Sequence, residues 1–218
     1  IQQAVTVIES AQRPLVLAGN GVIRGRASAA LVEFAEKSQI PVATTFMAKG
    51  AMPSSHPLSL GTVGLQANDY VSCGFDRADV VICVGYDMIE YHPHLWHKSK
   101  DKKIIHIDPT PAEVDEHYIL ELGVIGDIET SLAALAQYVS QRDGEDYGEL
   151  RRVITEEMNN YADDRAVPIK PQKILSDVRK VLRDEVIVIS DVGAHKMWVA
   201  RMFQAEAPNT CIISNGFA

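Results

Sequence analysis

The chain is short of cysteine, of basic charge and of long apolar runs, and each shortage removes a class of function. Its three cysteines, Cys73, Cys83 and Cys211, are scattered, with no Cys-x-x-Cys pair. That argues against a disulfide framework, and the three read as buried apolar residues of a cytosolic protein. The formal net charge is −8, so the basic face that a duplex nucleic-acid surface needs is missing and no nucleic-acid partner is expected; plain solubility accounts for the acidic balance. No apolar run approaches the roughly 20 residues that span a bilayer, so no membrane partner is expected. No signal-peptide pattern opens the chain. Nor does a Ser-His-Asp arrangement, a paired carboxylate or a P-loop stand out. What remains is 46% hydrophobic and 23% charged over 218 residues, an ordinary globular composition. It has room for one large domain, or for one domain and part of another.

Strands and helices alternate along the first two thirds. Pro14-Leu15-Val16-Leu17-Ala18 predicts a buried strand, and Gly19-Asn20-Gly21 a tight turn after it. Ala27, Ala30, Leu31, Phe34 and Ala35 then mark one face of a helix. Residues 41–45 predict a second strand. The Gly/Pro/Ser-rich stretch 49–64 reads as a loop, with a short helix after it near 67–73. Residues 79–85 form the clearest central strand, apolar from Val80 to Val84 and ended by Gly85. Residues 103–109 and 123–126 are two more, and Asp127 is placed to cap a helix carrying Ile128, Leu132, Leu135 and Val139. The alternation predicts a parallel-sheet, Rossmann-like three-layer α/β domain over residues 1–140. A polar linker containing a helix near 147–160 follows over 141–170. Pro171 suits the first turn of a further helix, which feeds strand 186–190. Residues 171–218 thus read as the truncated βαβ start of a second α/β domain.

Three patterns compete for attention as sites. Gly19-x-Gly21-x-x-x-Gly25 follows a strand as a dinucleotide fingerprint does, yet the acidic partner about twenty residues on is missing. A tight strand-to-helix turn is the preferred reading. His92, His94 and His97 cluster without cysteine and around Pro93, short of the converging ligands that zinc requires, so a surface loop is expected and no metal. Asp108-Pro109 lies at a strand's carboxyl end, where ligands of such sheets bind, but also where Asp-Pro makes a turn. The two readings stay open.

The fourth pattern carries more. Val186-Ile187-Val188-Ile189 runs into Ser190-Asp191-Val192-Gly193-Ala194-His195-Lys196-Met197-Trp198, a strand, a turn and the opening of a helix. Backbone amides and the helix dipole converge on an anion there. Asp191 can bind a ligand or cap the helix, and Gly193 permits close approach to a phosphate. Met197, Trp198 and Met202 read as core. Both ends of the chain look cut, since Ala4, Val5, Ile8 and Ala11 already recur at helical spacing and the last strands have no cover. An internal piece of a longer polypeptide is expected over a complete small protein.

Together these stretches resemble acetolactate synthase, a thiamine-diphosphate enzyme. The resemblance rests on Ser55-His56-Pro57-Leu58-Ser59-Leu60-Gly61, Val84-Gly85-Tyr86-Asp87-Met88-Ile89-Glu90-Tyr91, Ile105-His106-Ile107-Asp108, Gly126-Asp127-Ile128, 191–198 and Ile213-Ser214-Asn215-Gly216. They cover nearly the whole chain in the family's order. The resemblance implies the family's central domain and the start of its diphosphate-binding domain, with Val192, Gly193, Ala194 and His195 against the diphosphate and Ala218 near the pyrimidine. The catalytic glutamate and the Gly-Asp-Gly…Asn magnesium motif would lie outside this sequence, so no catalytic or metal residue is assigned within it.

Biosynthetic members carry FAD next to a Gly-x-Arg-Phe-Asp segment. Here that place reads Gly85-Tyr86-Asp87-Met88-Ile89, similar to the catabolic, flavin-independent branch, and FAD is not expected. Ala194 and Ala218 depart from the residues found in some members, which leaves the exact 2-oxo acid open. The resemblance further implies an intact cytoplasmic homo-oligomer that condenses two pyruvates to 2-acetolactate and CO₂ with thiamine diphosphate and Mg²⁺. The 218 residues alone are expected to be inactive. Two other readings remain: another thiamine-diphosphate-dependent decarboxylase or carboligase, and a non-enzymatic nucleotide-binding or structural module.

Overall fold

The computed structural model describes residues 1–64, 70–143 and 147–214. Eight helices and eight strands lie among them, in the order α1 Gln2–Ser10, β1 Pro14–Ala18, α2 Asn20–Arg24, α3 Ser28–Ser38, β2 Val42–Thr45, β3 Ser59–Val63, α4 Tyr70–Arg77, β4 Val80–Val84, β5 Lys103–Asp108, β6 Leu122–Ile125, α5 Ile128–Tyr138, α6 Gly148–Asn159, α7 Pro171–Val181, β7 Val188–Ser190, α8 Ala194–Met202 and β8 Cys211–Ile213.

The first six strands form one parallel sheet in the order β3-β2-β1-β4-β5-β6. Because strand side chains alternate between faces, each strand feeds two cores. Val16, Ala18, Ile82, Val84, Ile105 and Ile107 face α1, α3 and α5 through Ile8, Phe34 and Leu132. Leu15, Leu17, Val81, Cys83 and Ile104 face the other way, onto Phe75 of α4, Leu150 and Ile154 of α6, and a cluster of Tyr86, Tyr91, Trp96 and Tyr118. Helices on both faces make the three layers that the alternation predicts. The predicted caps are in place too. Asp127 accepts from the Thr130 amide at 2.8 Å at the head of α5, and Pro171 takes the first turn of α7.

Beyond α7, β7 and β8 pair in parallel, Val188 with Cys211 and Ser190 with Ile213, with α8 between them in the chain. This is a βαβ unit of its own, apart from the six-stranded sheet. Its core joins Val199, Ala200, Phe203, Cys211 and Ile213 to Phe46 from the first sheet's side. Other parts of it are more open: α7 packs Leu175 and Val178 against that core but has no fully buried residue, and Ile189 and Ile212 are 73% and 47% exposed.

Four expectations need correction. Residues 49–64 are not all loop, because β3 pairs in parallel with β2, Thr44 beside Thr62. The helix expected over 67–73 runs from Tyr70 to Arg77, and residues 67–69 lie outside the described residues. Met197 and Trp198 are 39% and 36% exposed rather than core, because α8 turns only Val199 and Ala200 inward. His97 is buried, not a surface-loop residue. Its Nε2 accepts from the Lys102 amide at 3.0 Å, so Nδ1 carries the proton and donates to the His117 carbonyl at 2.8 Å.

Candidate cofactor site

The turn between β7 and α8 brings Asp191, Val192, Gly193, Ala194 and His195 together on an exposed surface. Gly193 is the N-cap of α8, at φ 149 and ψ −175, and no side chain caps the helix there. That backbone region belongs to glycine: a Cβ on Gly193 would meet the His195 ring at 2.8 Å. The first amides of a helix have no intrahelical acceptor, so this end presents donors and the positive end of a nine-residue helix dipole. Asp191 does not cap the helix. Its carboxylate accepts from the next residue's amide, Val192, at 2.6 Å. The arrangement fits an anionic group laid across the turn. Ala218 lies outside the described residues.

A second concave site sits between the carboxyl ends of β1 and β4. The strand order reverses at these neighbours, and ligands of open α/β sheets bind at that point. The two strand tips are bonded to each other. The Gly19 amide donates to Val84 O at 2.9 Å and the Gly21 amide to Gly85 O at 2.7 Å. A Cβ on Gly21 would meet Gly85 Cα at 2.5 Å, and Gly85 itself has φ +56. The Gly19–Gly25 pattern therefore serves backbone-to-backbone packing.

Beside this contact opens a cleft of ≈ 560 Å³ lined by Asn20, Arg24, Asp87, Glu90, His106 and Asp108 among others. Glu90 occupies its floor, 8% exposed. It accepts from the Asn20 amide and from the Thr45 hydroxyl. Burial pushes its pKa up, against the pull of those two bonds. Burial likewise lowers the pKa of His106, whose Nδ1 lies 3.0 Å from the Tyr118 hydroxyl. Asp108 spends its Oδ1 on the Thr110 amide and hydroxyl, at 2.9 and 2.7 Å. It is thus a turn-forming Asp that also lines the cleft.

Sequence reasoning missed Glu90 and Lys49, two charged residues buried in this fold. Lys49 stands in no recognisable motif; Glu90 belongs to the stretch 84–91 that carries the resemblance, without a role of its own there. The only signal available was a charge inside an otherwise apolar neighbourhood.

The sequence profile of the thiamine pyrophosphate enzyme central domain matches residues 1–135. The chain belongs to the thiamine pyrophosphate enzyme family. It is 33% identical to a probable acetolactate synthase large subunit of Methanocaldococcus jannaschii, over 99% of this chain and 38% of the relative. It is 32% identical to the acetolactate synthase of Bacillus subtilis, over 99% of this chain and 39% of the relative. The acetolactate synthase large subunit of Corynebacterium glutamicum is also 32% identical, over 99% and 36%. The chain therefore spans less than two fifths of the length of these curated relatives.

Proposed function

We propose that this chain is the central part of a thiamine-diphosphate-dependent enzyme that condenses two pyruvates to 2-acetolactate and CO₂. The observation that carries the reading is the match of 99% of the chain, through both sheets, to acetolactate synthases. Residues 1–140 are assigned to the central domain, 141–170 to a linker with its helix, and 171–218 to the beginning of the diphosphate-binding domain.

When bound, the cofactor supplies the decarboxylation and carbon–carbon bond chemistry. The residues of this chain bind and orient. Gly193, Ala194 and His195 offer the amides at the head of α8 to the diphosphate, and the helix dipole favours the anion there. The Val192 amide is already engaged by Asp191, so Val192 shapes the turn rather than donating. Ala218 is assigned next to the pyrimidine. None of these residues moves a proton in the carbon chemistry.

Among the described residues no group of three His, Cys, Asp or Glu side chains gathers as a metal site, and no Mg²⁺ ligand is assigned here. Mg²⁺ belongs to the intact enzyme. Flavin is left out of the reading, because the place of the Gly-x-Arg-Phe-Asp segment reads Gly85-Tyr86-Asp87-Met88-Ile89-Glu90-Tyr91. No helix among the described residues is long and apolar enough to cross a membrane. The intact enzyme is read as a cytoplasmic homo-oligomer.

The test is to express the natural gene product that carries this sequence and supply pyruvate, thiamine diphosphate and Mg²⁺. Stoichiometric acetolactate and CO₂ support the reading. Turnover of another 2-oxo acid in place of pyruvate moves it within the family.

A further inference from the structure

Lys49 is 4% exposed and lies in the segment between β2 and β3, yet its partners belong to both units. Its Nζ donates to the Ala200 carbonyl of α8 at 2.9 Å and to Thr62 Oγ1 of β3 at 3.3 Å. Ala200 lies in the last turn of α8, where carbonyls run out of intrahelical donors and the dipole is negative. A buried ammonium is costly unless such acceptors meet it.

The neighbours of Lys49 reinforce the clasp. Gly50, at φ +91, lets the backbone close on Ala207, whose carbonyl would lie 2.3 Å from an added Cβ. The Ser54 amide donates to Ala205 O at 3.0 Å, and the Ala205 amide donates to Ser54 Oγ at 3.1 Å. At the other end of α8, the Lys196 ammonium sits 5.2 Å over the Phe46 ring. Residues 46–55 thus grip α8 near its first turn and at its last.

We propose that Lys49 is a positioning residue: from the central sheet it holds the last turn of α8, and so fixes the Gly193–His195 turn at the helix's other end. This rests on the proposed function, which gives that turn to the diphosphate. A helix of nine residues is about 13 Å long and stiff, so an error at its C-terminus is carried to its N-terminus. The cation at one end and an anion at the other both favour the same dipole direction.

The experiment uses the natural gene product and three readouts: the dissociation constant of thiamine diphosphate, kcat at saturating cofactor, and amide exchange over residues 193–196. Lys49→Met removes charge and donor together. It is expected to weaken cofactor binding about tenfold, the equivalent of losing one charge-assisted hydrogen bond. Exchange at 193–196 rises, while kcat at saturation stays within about threefold of wild type. Lys49→Gln keeps an N–H donor, gives an intermediate value, and serves alone if Lys49→Met does not fold. Lowered thermal stability with unchanged cofactor affinity and unchanged exchange would make Lys49 a staple between the units and overturn the inference. Failure of the wild type to bind thiamine diphosphate would instead bring down the proposed function, and this inference with it.

Discussion

Both carboxylate oxygens of Glu90 accept from the backbone amide of Asn20, at 3.0 and 3.1 Å. The contact spans seventy residues and joins the loop after β4 to the turn after β1, while Thr45 adds its hydroxyl from the end of β2. One buried carboxylate thus ties together three neighbouring strand ends at the point where the sheet's strand order reverses. Glu90→Ala is expected to cost about 2 kcal/mol, because the Asn20 amide is left without its acceptor. Urea unfolding of the two proteins at one pH checks it.

The same carboxylate gives a pH signature. Burial raises its folded-state pKa above the ordinary value of 4.5, so above that value the folded chain holds the proton longer than the unfolded chain. Stability from this group therefore falls as pH rises from 4.5 through the raised pKa. Glu90→Gln removes that slope. The difference between the two unfolding midpoints, followed across the acid range, measures it.

Lys49 gives the opposite slope in alkali. Its pKa is lowered from 10.5 to about 8, chiefly by burial, with Cys211 and Glu206 raising it and Arg201 lowering it. Between about 8 and 10.5 the unfolded chain holds a proton that the folded chain has released. Stability from this group therefore rises with pH across that window. Relative to Lys49→Met, the wild type should gain stability on going from neutral to strongly alkaline pH. An unchanged difference contradicts the assignment.

Gly85 admits no side chain. At φ +56, its added Cβ would meet Val22 N at 2.5 Å and Gly21 C at 2.6 Å. Gly85→Ala is expected to cost about 3 kcal/mol or more through backbone strain and the separation of the β1 and β4 tips. Gly193→Ala differs, because its turn is exposed. It is expected to lower stability by about 1 kcal/mol and to act mainly on cofactor affinity. Denaturation and thiamine-diphosphate titration separate the two effects.

Legibility in the sequence followed continuous apolar runs, not burial alone: β3 is nearly as buried as β1 yet reads as loop, while the half-exposed β6 reads as a strand. β1 and β4 are buried along their whole length, so continuous apolar runs marked them, and Asp127 marked the start of α5. β3 escaped because Ser59, Gly61 and Thr62 break its apolar run, at a sheet edge with a register irregularity opposite Val42 and Ala43. Edge position excuses a strand from being apolar throughout. The βα turn at 191–195 was legible as strand, glycine and helix. What stabilises it from behind was not: Lys49 and Ala200 lie 151 residues apart, and no local pattern reports such a contact. His97 was misplaced for the same reason, since its partner carbonyl is that of His117.

The central claim is that the head of α8 carries the diphosphate of a pyruvate-condensing enzyme. The most direct test is calorimetric titration of the natural gene product with thiamine diphosphate and Mg²⁺, wild type beside Gly193→Ala, with acetolactate measured on the same samples. The account predicts saturable binding and acetolactate formation in the wild type, and binding weakened about tenfold or more in the variant. Equal affinity in the two proteins, or a wild type that ignores the cofactor, would contradict it.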